Sequence, residues 1–169
     1  MNKPLPDAED LLALLAERIR ASVTPDTALI GIHTGGVWLA QRLHKALALR
    51  LPLGTIDVSF YRDDYGSRGL HPKVKRSDIP FDVADADIIL VDDVLYTGRT
   101  IRAAMNELFD YGRPRSIRLA ALIDRGGRQL PIAAQFIGAE VSVADGGQIE
   151  LTKNEHDQLS LVLNRQSAA

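Results

Sequence analysis

The run Ile88-Ile89-Leu90-Val91-Asp92-Asp93-Val94-Leu95-Tyr96-Thr97-Gly98-Arg99-Thr100 decides the reading of this chain. Its first four residues are aliphatic without interruption, the pattern of a strand buried on both faces of a parallel sheet. Two adjacent carboxylates follow, then a short turn of hydroxyls and glycine, then a helical stretch that ends near Gly112. A strand, a turn and a helix in that order leave the first N–H groups of the helix unpaired, with the positive end of its dipole at the turn. Such a turn suits a phosphate. Gly98 lets the backbone approach an anion closely, and Thr97 and Thr100 add hydroxyl donors. Asp92 and Asp93 are repelled by that same phosphate. They make chemical sense at the other end of one ligand, as acceptors for sugar hydroxyls or for a bound Mg²⁺ with its waters. A sugar phosphate satisfies both demands.

Outward from this run the chain alternates between the two periodicities. Upstream, Leu11, Leu12, Leu14, Leu15 and Ile19 predict an amphipathic helix over 8–21. A short apolar run at 28–32 predicts a strand, His33-Thr34-Gly35-Gly36 a glycine loop, and 37–49 a second helix. Ile56, Val58 and Phe60 alternate with polar residues over 54–61, the period of a half-exposed strand. Downstream, 117–123 is apolar again, Asp124-Arg125-Gly126-Gly127-Arg128 turns the chain, and short strands are predicted at 135–137 and 159–163. The alternation predicts an α/β fold, a mostly parallel twisted sheet with helices on both faces.

Composition narrows the function classes. A chain of 169 residues fits a single domain spanning 1–169. It has no cysteine, which excludes disulfides, thiolate metal sites and thiol nucleophiles and points to a reducing, cytoplasmic setting. Asp7, Glu9, Asp10 and Glu17 interrupt the Leu-rich N-terminus, so it is not read as a signal peptide, and no apolar run approaches the roughly 18 residues of a membrane span. The net charge of −2 gives no bulk attraction to nucleic acid, while a local basic face stays open. Neither a nucleoside-triphosphate loop nor a dinucleotide-binding glycine fingerprint is present.

In an open parallel sheet, ligands bind beyond the carboxyl ends of the strands, so three further segments matter. Thr34-Gly35-Gly36 can form a concavity of backbone amides for an anion, or a plain tight turn. His33 alone makes no metal site. The stretch over about 62–80 lacks periodicity and carries Arg62, Arg68, Lys73, Lys75 and Arg76 among turn formers, which predicts a mobile, cationic lid loop. Asp124-Arg125-Gly126 again follows a strand, and is either a ligand-facing turn or an ordinary surface turn.

The run from Ile88 to Thr100 resembles the 5-phosphoribosyl-1-pyrophosphate (PRPP) signature of type I phosphoribosyltransferases. Its wording Asp-Asp-Val-Leu-Tyr-Thr-Gly-Arg-Thr is similar to that of the PyrR family, with support from Tyr61-Arg62-Asp63-Asp64, Asp124-Arg125-Gly126 and Leu130-Pro131-Ile132. The resemblance implies the type I fold with a small hood and a flexible lid. It implies uracil phosphoribosyltransferase activity, uracil plus PRPP giving uridine monophosphate (UMP) and pyrophosphate, together with UMP sensing and regulation of pyrimidine genes through leader mRNA. Mg²⁺ is the implied cofactor, held indirectly by Asp92 and Asp93 through PRPP hydroxyls and water, and a homo-oligomer is implied. Asp92 and Asp93 take ribose; the loop through Val94, Leu95, Tyr96, Thr97, Gly98, Arg99 and Thr100 takes the 5′-phosphate. Thr34, Gly35 and Gly36 with Arg62 take pyrophosphate, Arg125 donates to a uracil carbonyl, and Ile149 in the hood walls the ring. Gly35 stands where the family has arginine. The Gly-Gly form is similar to the loop of purine phosphoribosyltransferases, so a hypoxanthine or guanine enzyme and a catalytically weak nucleotide sensor remain alternatives. Arg18, Arg20, Arg113, Arg115 and Arg118 are the basic residues available to RNA.

Overall fold

The computed structural model describes residues 4–58, 77–144 and 146–165. Five parallel strands form the central sheet in the order β2-β1-β3-β4-β5: β1 Thr27–Ile32, β2 Gly54–Ile56, β3 Asp87–Leu95, β4 Ser116–Asp124 and β5 Phe136–Glu140. Three helices flank it, α1 Ala8–Arg20, α2 Gly35–Leu47 and α3 Arg99–Tyr111. An antiparallel hairpin of β6 Gly147–Lys153 and β7 Leu159–Arg165 forms a separate sheet.

The uninterrupted apolar runs are explained by two cores. Successive side chains of a strand point to opposite faces, and here both faces are covered. Leu29, Ile89, Val91, Ala120 and Leu122 pack with α1 and α2 through Leu15, Ile19, Leu39 and Leu43. Ile30, Ile88, Leu90, Leu119 and Ala121 pack on the opposite face against Ile101, Ala104 and Leu108 of α3. Burying one such aliphatic side chain is worth about 1.5–3 kcal/mol. At the start of α1 the Asp7 carboxylate accepts from the Asp10 amide at 2.9 Å, satisfying one of the unpaired N–H groups.

The largest differences from expectation concern β3, β2 and β6. β3 does not stop at Val91: its ladder with β4 continues through Asp92↔Ala121, Val94↔Ile123 and Leu95↔Asp124, so the aspartates lie inside the strand. β2 is short, and of the predicted 54–61 the residues from 59 lie outside the described residues. Its outer edge is closed by Asp78, which exchanges two backbone hydrogen bonds with Thr55 at 2.7 and 2.9 Å. Residues 77–80 of the predicted lid are therefore anchored at their Asp78 beside β2, while 62–76 lie outside the described residues. β6 carries a period-two signal in Ile149 and Leu151 between Gln148, Glu150 and Thr152, yet was expected only as part of a hood.

Candidate active site

Strand order reverses between β1 and β3. From β1 the chain crosses through α2 to β2 on one side, and from β3 it proceeds through α3 to β4 on the other. Connections that diverge in this way leave a crevice at the carboxyl ends of β1 and β3. α2 and α3 both begin at that end and lie on opposite faces of the sheet, so the positive ends of two helix dipoles border the crevice.

The loop after β1 forms the first wall. The His33 amide donates to the Ile56 carbonyl at 2.9 Å, and the Thr34 carbonyl accepts from Val37 at 3.2 Å as α2 begins. The helix starts at Gly35, two residues earlier than predicted. Both glycines are required by β3. A Cβ at Gly36 would lie 2.3 Å from the Val91 carbonyl oxygen, and one at Gly35 would lie 2.5 Å from Asp93 Oδ2. The Gly-Gly pair thus lets the first turn of α2 lie directly on the strand that carries the carboxylates.

β3 forms the floor. Asp92 and Asp93 are only 2% and 6% exposed, a correction to the expectation of carboxylates standing beyond a strand end. Asp92 Oδ1 accepts from the Asp93 amide and Asp93 Oδ1 from the Val94 amide, each at 2.9 Å. The Asp93 side chain lies against the backbone at Gly35, in the first turn of α2. Val94 and Leu95, expected as ligand-contacting loop residues, belong to the strand instead: Val94 packs against the α1/α2 core and Leu95 is buried in the α3 core.

The turn before α3 forms the second wall. Gly98 has φ 93°, a left-handed conformation that glycine adopts without steric cost, and it caps the helix. The Arg99 amide donates to Thr97 Oγ1 at 3.2 Å, so the amides that the helix itself leaves over are those of Gly98, Thr100 and Ile101. Thr97 and Thr100 are buried. Arg99 turns aside, its Nε donating to Gln129 Oε1 at 2.9 Å.

Beyond β4, residues 125–132 pack on this turn. The amides of Gln129 and Leu130 donate to the Thr97 carbonyl at 2.9 and 3.2 Å, and the Arg125 amide to the Leu95 carbonyl at 3.0 Å. The Arg125 guanidinium lies 3.9 Å from the centroid of the Tyr96 ring. Its buried Nε has no hydrogen-bond acceptor among the described residues, so the ring's negative face is the compensation available to it. Gly127 backs the ring, since a Cβ there would lie 2.4 Å from Tyr96 Cε2. Burial alone pushes the Asp124 carboxyl upward, but hydrogen bonds from Arg128 and the Gly126 amide and the Arg128 charge outweigh it, so it is held below the ordinary carboxylate value.

The structure thus brings Thr34, Gly35, Gly36, Asp92, Asp93, Thr97, Gly98, Thr100, Tyr96 and Arg125 to one edge of the sheet. Arg62 lies outside the described residues. Ile149 sits in β6 opposite Leu163 and is buried in the α1/α2 core with Leu151 and Leu159, so its side chain is committed to packing. Most of the arginines considered for RNA have intramolecular partners: Arg18 donates to the Ile137 carbonyl, and Arg20 pairs with Glu17 at 3.1 Å. Arg115 bridges Asp26 and Asp87 at 3.3 and 3.0 Å, and Arg118 lies 5.5 Å over the Phe136 ring. Arg128 was not singled out from sequence; its signal is the i,i+4 spacing to Asp124 in a turn.

Among the described residues no three His, Asp or Glu side chains come together as a metal cage. The donor set at the crevice is an adjacent carboxylate pair, which fits Mg²⁺ held mainly by ligand oxygens and water.

The chain matches the phosphoribosyl transferase domain family over residues 3–145, a span that stops short of the β6–β7 hairpin. It is 48% identical over 170 residues to the bifunctional protein PyrR of Nitrosococcus oceani, covering 95% of this chain and 96% of the relative. Among solved structures it is similar to the purine phosphoribosyltransferase of Pyrococcus horikoshii, with TM-score 0.63 and 26% identity over 84% of this chain and 87% of that one. It also shares the fold of a hypoxanthine-guanine phosphoribosyltransferase from Bacillus anthracis, with TM-score 0.64 and 18% identity over 83% of this chain and 85% of that one.

Proposed function

Because the chain belongs to the phosphoribosyltransferase family, and within it to the PyrR proteins, we propose that it transfers the phosphoribosyl group of PRPP to uracil and couples UMP occupancy to pyrimidine-gene regulation. In the reaction the bond from the anomeric carbon to pyrophosphate breaks, the bond to uracil N1 forms, and the N1 proton passes to solvent. Pyrophosphate is a good leaving group, so the protein's task is positioning and charge stabilisation rather than supplying a nucleophile.

The observation that carries this reading is the order of the groups along the sheet edge. The glycine loop follows β1, the carboxylates lie in β3 and Arg125 follows β4, on three neighbouring strands spanning about 10 Å at ordinary strand spacing. Pyrophosphate, ribose and base are joined in that order at the reacting carbon. Gly35 and Gly36 hold pyrophosphate by main chain, with Arg62 from the segment outside the described residues. Asp92 and Asp93 accept from the ribose hydroxyls. The Thr100 and Ile101 amides with the Thr97 and Thr100 hydroxyls take the 5′-phosphate, and Arg125, stacked on Tyr96, faces the base. Mg²⁺ would be held by Asp92 and Asp93 through ribose hydroxyls and water, where it supplies charge neutralisation for the departing pyrophosphate.

Regulation follows from the same pocket by linkage: UMP that occupies it shifts affinity for leader mRNA elsewhere on the surface. Arg20 and Arg115 are paired with carboxylates, so the regulatory half rests on family membership. A cytoplasmic location and homo-oligomeric assembly belong to the same proposal; among the described residues no helix is long and apolar enough to cross a membrane.

Gly35-Gly36 and the likeness to purine enzymes favour a second reading, in which hypoxanthine or guanine replaces uracil. Pyrophosphate release measured with each base at saturating PRPP and Mg²⁺ separates the two. Uracil-dependent release supports the proposal, purine-dependent release supports the second reading, and the absence of release with any of the bases leaves a nucleotide sensor. RNA affinity that rises with UMP and falls steeply with salt supports the regulatory half.

A further inference from the structure

One guanidinium joins the turn beside the phosphate site to the turn beside the base site. Arg128 Nη1 donates to the Tyr96 carbonyl at 2.5 Å, and Nη2 donates to Asp124 Oδ2 at 2.6 Å. Both side chains are largely withdrawn from water, 24% exposed for Arg128 and 13% for Asp124. The Tyr96 carbonyl belongs to the backbone that enters the turn before α3. Asp124 closes β4, and its second oxygen accepts from the Gly126 amide at 2.9 Å, shaping the turn that carries Arg125.

A planar fork is suited to this task. It can hold a backbone carbonyl and a carboxylate at once in a fixed mutual direction, whereas an ammonium acts as a point charge on a flexible stem. Backbone hydrogen bonds also join the two turns, from the Arg125 amide to the Leu95 carbonyl and from the Gln129 and Leu130 amides to the Thr97 carbonyl. Among the side chains, Arg125 rests on the Tyr96 ring and Gln129 meets Arg99 in an exposed hydrogen bond, so the fork is the charged side-chain tie between them. Removing the fork leaves a largely buried carboxylate and a backbone carbonyl without their charged donor, which loosens the register that the remaining backbone hydrogen bonds keep only at Leu95 and Thr97.

We propose that Arg128 is a positioning residue that locks the 5′-phosphate turn and the base-side turn in register, so that a ligand spanning both is recognised as a unit. The inference rests on the transferase reading for its ligands, though not for the register itself. Its signature is selective. UMP spans both turns and should lose affinity when the fork is removed. Inorganic pyrophosphate addresses the β1 loop, which Arg128 does not touch, and should not.

The test is calorimetric titration of UMP and of Mg²⁺-pyrophosphate into the wild type, Arg128→Gln and Arg128→Lys, with hydrogen exchange followed at the amides of residues 96–101 and 124–130. Arg128→Gln is expected to weaken UMP binding about tenfold or more, the scale of a lost charged hydrogen bond, and to leave pyrophosphate affinity within about twofold. Arg128→Lys should fall between. Exchange should quicken in both turns of the ligand-free variant. Unchanged UMP affinity, or equal weakening of UMP and pyrophosphate, overturns the proposal. If Arg128→Gln does not fold, Arg128→Lys is read by the same criteria. If the wild type binds neither ligand, the functional reading fails while exchange still decides: unchanged protection in both turns overturns the register.

Discussion

Replacing Gly36 by alanine tests how closely the pyrophosphate loop must lie on the strand that carries the carboxylates. The new Cβ would stand 2.3 Å from the Val91 carbonyl oxygen, with Val91 C and Asp92 Cα each at 3.2 Å. All three atoms are backbone, so no rotamer relieves the clash. An ordinary contact needs about 3.5 Å, so the first turn of α2 and β3 must part by about 1 Å. Forced separation in a packed interior costs about 1–3 kcal/mol, or a few degrees of Tm per kcal/mol for a chain of this size. The functional cost is larger, because a misplacement of about 1 Å between binding groups lowers reactivity about 10²-fold. The assay is kcat/KM for PRPP, measured well below the unfolding temperature, beside a thermal melt. Gly146→Ala is the control: at φ 77° with nothing within 4 Å of its Cβ, it pays the left-handed penalty without displacing any neighbour. Gly36→Ala with kcat/KM equal to that of Gly146→Ala would refute the claim that contact between loop and strand sets the site.

Two further outcomes concern stability. Leu15 is fully buried between α1 and the sheet, so Leu15→Ala is expected to cost about 2–5 kcal/mol in denaturant unfolding while leaving the KM for PRPP unchanged at low temperature. The Asp124 carboxyl is held below its ordinary value of 3.8, so its contribution is fully present above that value and is lost as the pH falls through the lowered one. The stability gap between the wild type and Asp124→Asn should therefore stay constant above about pH 5 and close in more acid solution, as read from denaturant midpoints; a gap that widens on acidification contradicts the depressed value.

The parts of the fold that were legible in sequence are those where one physical demand acts alone. Ile88 to Val91 read as a doubly buried strand because both faces are covered, and Leu11, Leu15 and Ile19 read as a helix because one face is. The end of β3 was misplaced because Asp92 and Asp93 carry a polarity that elsewhere marks a strand terminus, while their backbone continues the ladder with β4. Val94 and Leu95 were drawn into the expected loop for the same reason. Gly35 and Gly36 were read as anion binders; their second constraint, contact with Asp93 and Val91, depends on strand order and cannot be seen along the chain. Ile149 was assigned to the wall of the base site by resemblance; its pairing with Leu163 depends on a hairpin of which only the second strand was predicted from sequence. Arg128 escaped notice since its partner carbonyl, on Tyr96, is backbone and leaves no trace in residue type.

Titration of Mg²⁺-PRPP into the wild type and into the double variant Asp93→Asn, Thr97→Val tests the account most directly. Both changes are nearly isosteric; the asparagine Oδ1 can still accept from the Val94 amide, while Thr97→Val takes the acceptor from the Arg99 amide at a cost of about 1 kcal/mol, so the two proteins are compared well below their melting temperatures. The wild type is expected to bind with measurable heat and the double variant to give none. Equal affinity in the two proteins would contradict the placement of the sugar phosphate between the β3 carboxylates and the first turn of α3.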